Sequence, residues 1–209
     1  MLFVKTPILV MKLFPELIWH FSRRENPQKK QIYLTFDDGP TPEITPWVLD
    51  NLREFDAKGT FFCLGRNVDR YPDIYHQIVE EGHAVGNHTY SHLKGSQTNN
   101  FEYINDIELA GTNIESKLFR PPYGRFRKSQ IREIRKDYQI VMWDVLSQDY
   151  DQKVNPEKCY SNVEENVRPG SIVVFHDSMK ARDNLYHALP AMLEKYSKEY
   201  RFLPIPESA

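Results

Sequence analysis

Along this chain, short apolar runs alternate with longer segments whose apolar residues recur every three or four positions. The runs QIYLTF (31–36), GTFFCLG (59–65), HAVGN (83–87), LFRP (118–121), QIVMWDV (139–145), SIVVFH (171–176) and YRFLPI (200–205) read as strands. Between them, Ile44, Val48, Leu52 and Phe55 line one face of a helix over 43–55. Phe101, Ile104, Ile107, Ile114 and Leu118 do the same over 100–118. Asn155 followed by Pro156 marks the N-cap and first turn of a helix that runs to the neighbourhood of Pro169 and Gly170. Further helices are predicted over 72–81, 127–137 and 184–197. This alternation, with strands apolar on both faces, predicts an α/β fold: a parallel sheet covered by helices, open or closed into a barrel.

In such folds chemistry collects at the carboxyl ends of the strands. Nearly every predicted strand here ends in an ionisable group. Asp37 and Asp38 follow the first, His88 and His92 the third, and Arg120 the fourth. Asp144 and Asp149 close the fifth, and His176 and Asp177 the sixth.

The opening stretch MLFVKTPILVMKLFPELIWHF is apolar but interrupted by Lys5, Lys12, Glu16, Pro7 and Pro15. It therefore lacks the ~20 continuous apolar residues of a membrane span. Without a basic start or a small-residue cleavage site it reads poorly as a signal peptide, so a cytoplasmic location is the default expectation. Leu9, Leu13, Leu17 and Phe21 recur every fourth residue, which suits a short amphipathic helix packed on the domain. Membrane-surface contact is the lesser alternative. The chain divides accordingly into an N-terminal segment, 1–29, and the domain that carries these strand-end residues, 30–209.

Composition mainly excludes. The 209 residues suffice for one substantial core, and a formal net charge of -2 argues against a protein whose main business is coating nucleic acid or anionic membrane. The basic run RFRKSQIREIRKDY has few aromatics and reads as a solvated helix face, so no nucleic-acid partner is expected. Cys63 and Cys159 make neither a disulfide framework nor a metal-site spacing and read as packed thiols.

The candidate chemistry starts with NHTYSH. Histidines four apart face the same way if the segment turns helically, so both imidazoles reach one ion. A carboxylate from a neighbouring strand end would complete two nitrogens and one oxygen, a usual set for catalytic Zn²⁺ or a similar divalent ion. FDDGP offers that carboxylate with one to spare, which could take a proton from water. Alone, FDDGP is equally a turn.

Taken together and in order, TFDDGP, HTYSH, RPPYG, WDVLSQDY and IVVFHDS resemble the motifs of polysaccharide deacetylases of carbohydrate esterase family 4, the NodB-homology domain. The resemblance covers roughly residues 30 to 205. It implies a distorted (β/α)7 barrel, TIM-like, with its site at the C-terminal strand ends. The implied reaction is metal-dependent hydrolysis of an acetyl group on a carbohydrate. By the resemblance, Asp38, His88 and His92 would bind the metal, usually Zn²⁺, with Co²⁺ or Ni²⁺ as alternatives. Asp37 would be the general base and Arg120 its partner. The Tyr123 amide would stabilise the oxyanion, and His176 would be the general acid, oriented by Asp149.

Three departures bear on the substrate. Leu146 and Tyr150 replace an Asp and a Trp often found in the fifth-strand motif, and Phe175 stands where leucine often precedes the histidine. Tyr150, Phe175 and Trp143 are therefore the expected pocket residues. The expected substrate is an N-acetylglucosamine-containing oligomer or glycan. The alternatives are O-acetyl xylan, a small amide or imide, or an inactive glycan-binding barrel.

Overall fold

The computed structural model describes residues 3–21 and 30–207. Strands β1 (Gln31–Asp37), β2 (Gly59–Cys63), β3 (Ala84–Asn87), β4 (Leu118–Phe119), β5 (Gln139–Ile140), β6 (Val145–Leu146), β7 (Ile172–His176) and β8 (Arg201–Phe202) form one sheet. The spatial order is β5-β4-β3-β2-β1-β7-β6, with β8 pairing on β1, and every pairing is parallel. Helices α1 (Ile8–Leu13), α2 (Ile44–Glu54), α3 (Gly65–Arg70), α4 (Pro72–Glu80), α5 (Asn100–Gly111), α6 (Lys128–Ile134), α7 (Pro156–Glu164) and α8 (Arg182–Tyr196) accompany it. The expected distorted (β/α)7 barrel is the fold adopted.

Strand alternation divides the core in two. Ile32, Leu34 and Phe36 of β1, with Val173 and Phe175 of β7, pack against the helix layer. Tyr33, Phe62, Ile172 and Val174 turn into the curl of the sheet. Thr35 and Asp37 share that inner face of β1, and there they meet Arg120.

The run QIVMWDV is not one strand. Its middle carbonyls, Val141 and Met142, accept hydrogen bonds from Arg120 Nε (3.3 Å) and Nη2 (3.0 Å) rather than from a neighbouring strand. The ladder therefore stops at Ile140 and resumes at Val145. The N-terminal segment occupies the resulting seam. Ile18 N–H donates to Ile140 and Met142 N–H to Ile18, while Leu146 N–H donates to Val4 and Thr6 N–H to Asp144. Lys5 adds an ion pair of 2.7 Å to the buried Asp144.

Other boundaries differ locally. The segment 100–118 is helical only to Gly111, because the chain must then return to β4. Helix α7 stops at Glu164, well before Pro169, and α3 follows directly where β2 was expected to continue through Gly65. The helix at the N-terminus covers only Ile8–Leu13, and Leu9 and Leu13 face solvent whereas Leu17 is buried. Cys63 and Cys159 are buried free thiols.

Candidate active site

A cavity of about 570 Å³ opens at the carboxyl ends of the strands. Asp37, Asp38, His88, His92, Tyr123 and His176 all line it. Backbone conformation brings them there. Successive side chains of an extended strand point to opposite faces, so Asp37 and Asp38 converge only if the chain departs from extension. It does so at Asp38, whose φ is 81°. Left-handed backbone costs a non-glycine residue of order 1 kcal/mol or more. Thr89 (φ 66°) and His92 (φ 63°) after β3, Tyr123 (φ 60°) after β4 and Gln148 (φ 60°) after β6 pay it too, and of these His92 and Tyr123 line the cavity. The segment carrying His88 and His92 is accordingly a turn rather than the helix its spacing suggested.

On one wall, Asp38 Oδ1 lies 3.1 Å from His92 Nε2 and 3.7 Å from His88 Nε2. That oxygen is buried and accepts no aligned hydrogen bond. His88 Nδ1 donates to the Arg120 carbonyl at 2.7 Å, which leaves Nε2 as the free lone pair. Burial lowers the pKa of His88 to about 4 despite the nearby Asp37 charge, so the ring is neutral. Burial alone would raise the pKa of Asp38, but the neighbouring His92, His176 and His88 hold it well below the usual carboxylate range. One unpartnered carboxylate oxygen and two imidazole nitrogens, all within 4.8 Å, fit a divalent cation such as Zn²⁺.

Asp37 is held differently. Arg120, fully buried, donates from Nη1 to Asp37 Oδ1 and to Thr35 Oγ1, each at 2.7 Å. Its guanidinium lies 4.1 Å over the Phe62 ring. Three backbone or hydroxyl acceptors and an aromatic face thus fix the cation, and a lysine has neither the fork nor the planarity to replace it.

On the other wall, His176 sits beside Asp37, its register partner on the neighbouring strand. Asp149, fully buried, accepts from His176 Nδ1 at 2.8 Å and from its backbone N–H at 2.7 Å. Burial acts to lower the pKa of His176, but Asp149, Asp38 and Asp37 outweigh it and raise the pKa to about 9. Tyr150 stands edge-on to this ring at 4.9 Å.

Of the expected pocket residues, Trp143 and Tyr150 line the cavity. Phe175 does not: it is fully buried in the helix-side core, stacked 6.3 Å from Phe36. His176 faces the cavity, so alternation turns Phe175 away, and Val174 with Leu146 supplies the apolar wall instead. Trp47 stacks on Tyr186 at 4.0 Å, outside the cavity lining.

One strand-end acid named in the sequence, Asp177, had no role or partner assigned to it. Thr45 Oγ1 donates to the buried Asp177 at 2.5 Å and accepts from Thr41 N–H at 2.7 Å, while Asp177 N–H donates to the Asp37 carbonyl. A Cβ on Gly39 would lie 2.0 Å from Asp177 Oδ2, so only glycine fits the loop there. The readable signal was an acid directly after His176 on a strand end.

The family described as polysaccharide deacetylase matches residues 24–143. A peptidoglycan-N-acetylglucosamine deacetylase of Bacillus cereus is 39% identical over 159 residues, which is 72% of this chain and 57% of that protein. The chain thus spans little more than half the length of this relative. A second Bacillus cereus protein of the same description is 38% identical over 189 residues, 86% of this chain and 88% of its own. Among solved structures, a peptidoglycan N-acetylglucosamine deacetylase crystallised with an N-hydroxybenzamide ligand superposes with a TM-score of 0.82 at 32% identity, covering 96% of this chain and 95% of that one. On this likeness in sequence and fold, the chain belongs to the polysaccharide deacetylase family.

Proposed function

We propose that the chain is an N-deacetylase that hydrolyses the acetamide of N-acetylglucosamine units in a glycan or its oligomers, with the aid of a divalent cation. The observation that carries this reading is one cavity in which an Asp-His-His cation cradle, an arginine-clamped Asp37 and an aspartate-paired His176 meet.

Asp38, His88 and His92 would hold the cation, with Zn²⁺ the best match and Co²⁺ or Ni²⁺ tolerated. When bound, it supplies Lewis acidity that polarises the acetyl carbonyl and acidifies water. Asp37 takes a proton from the attacking water, and Arg120 keeps its carboxylate aimed through the 2.7 Å hydrogen bond to Oδ1. The Tyr123 N–H donates to the acetyl oxygen as negative charge grows there; Pro121 and Pro122 beside it have no N–H to offer. His176, protonated and held by Asp149 at Nδ1, gives its Nε2 proton to the amine as the C–N bond breaks. Water oxygen ends on the acyl carbon, so the products are acetate and the free amino sugar. Val174, Leu146 and Trp143 present the apolar wall suited to the acetyl methyl.

The test is acetate release from N-acetylglucosamine oligomers and from peptidoglycan, with Zn²⁺-loaded and chelator-treated protein. Metal-dependent release from at least one supports the reading. Turnover of O-acetyl xylan or a small amide alone would replace the substrate class, and no turnover of any acetylated compound would leave a binding barrel.

A further inference from the structure

The deacetylase site leaves the outer face of α1 unused. Nine large hydrophobic side chains are exposed among the described residues, and four of them, Phe3, Ile8, Leu9 and Leu13, precede position 14 at 63% to 69% exposure. Ile8, Leu9, Lys12 and Leu13 share one face of α1 by helical spacing, while Val10 and Met11 turn inward onto the core. Scattered exposed apolar residues are ordinary, but a contiguous stripe of them is not.

Cations flank this stripe. Leu13 and Phe14 share a shallow groove with Lys128, Arg132 and Arg135 of α6 and its C-terminal turn, and Glu16 is the one acid lining it. Lys136 is paired with Glu133, whereas Lys128, Arg132 and Arg135 have no carboxylate at ion-pair distance among the described residues. In a chain of formal net charge -2, this is a local concentration of positive charge.

We propose that α1 and the basic side of α6 form a docking surface for an anionic lipid membrane. Apolar side chains on a short helix, bordered by Lys and Arg, are the composition of an interfacial helix: the former enter the acyl boundary and the latter meet lipid headgroups. A second copy of the chain is the poorer occupant, because a two-fold contact through this face would bring the Lys12, Lys128, Arg132 and Arg135 cations of the two copies together. The surface is also rigidly mounted, since Ile18 and Met142 tie the segment to the seam through backbone hydrogen bonds. Docking therefore requires no opening of the barrel.

The experiment is co-sedimentation of the full chain with phosphatidylcholine vesicles, with and without phosphatidylglycerol. The wild type is expected to pellet with the anionic vesicles, to remain soluble with the neutral ones and to detach as salt is raised. The Leu9→Glu/Leu13→Glu variant changes only exposed positions, so circular dichroism and the thermal midpoint should match the wild type while vesicle affinity drops roughly tenfold or more. Lys128→Glu/Arg132→Glu should weaken binding independently of the helix. Failure of the wild type to bind anionic vesicles, or full binding by the Leu9→Glu/Leu13→Glu variant, overturns the proposal. So does light scattering that shows a dimer lost in that variant, which would make a second copy the occupant.

Discussion

The two walls of the cavity use the same residue types to opposite ends. On one, His88 is driven to a pKa of about 4 by burial and faces Asp38 with its lone pair. On the other, the His176 side chain is more open, 14% exposed against 3% for His88, and although burial still acts to lower its pKa, Asp149 and the two site aspartates raise it to about 9. One histidine is thereby neutral and the other protonated at the same pH, the states that the proposed ligand and the proposed acid require. The difference lies in which group each Nδ1 meets: a neutral carbonyl of Arg120 for His88, a buried carboxylate for His176. Environment, rather than residue identity, assigns the chemistry.

The comparison breaks most completely at Asp38. Asp38→Asn removes the only carboxylate of the cradle, and we expect cation binding to collapse with a loss of turnover of roughly 10⁴-fold or more. Competition against a chromophoric chelator reads the first and acetate release the second. His176→Ala removes the acid alone: turnover should fall roughly 10²–10⁴-fold while cation affinity stays near wild type.

Asp149→Asn sharpens the contrast rather than abolishing it. With pKa raised to about 9, His176 keeps its proton below that pH, and acid-dependent turnover is lost as pH rises through about 9. Removing the Asp149 charge lets burial dominate, so the alkaline limb of kcat should move to lower pH. At a fixed alkaline pH the loss is expected to be about 10- to 100-fold. A pH profile that stays in place would show that Asp149 only shapes the site.

The smallest effect comes from a third histidine, outside the cavity. His83 is buried, accepts the Gly59 N–H at 3.0 Å, and has its pKa lowered by burial, with help from Lys58, to about 4. The unfolded chain takes up this proton near pH 6.5, so folded stability is full above that pH and is lost as pH falls towards 4. The urea midpoint of the wild type should drop between pH 7 and pH 5 more than that of His83→Gln.

Much of this was legible in the sequence, for reasons that also mark where legibility stops. Strands β1, β2, β3 and β7 are buried on both faces, so their apolar runs announced them. The site residues stand at strand ends, where ionisable groups have no packing role to hide behind. QIVMWDV misled because its carbonyls are consumed by Arg120, a contact between residues some twenty positions apart. Leu9 and Leu13 misled because periodicity shows that a face is apolar without showing what covers it. Phe175 was readable in principle: once His176 faces the cavity, its neighbour cannot. The left-handed φ of Asp38, which lets adjacent carboxylates share one cavity, had no reliable sequence signal, because Asp-Gly-Pro is also an ordinary turn.

The central claim is that Asp37 and Asp38, neighbours in sequence, do separate work, and it is tested most directly on Asp37→Asn. The measurement is Zn²⁺ content and affinity of that variant alongside its acetate release. Metal binding should stay close to wild type while turnover falls roughly 10²–10⁴-fold. Loss of the metal in Asp37→Asn, or turnover at the wild-type rate, would contradict it.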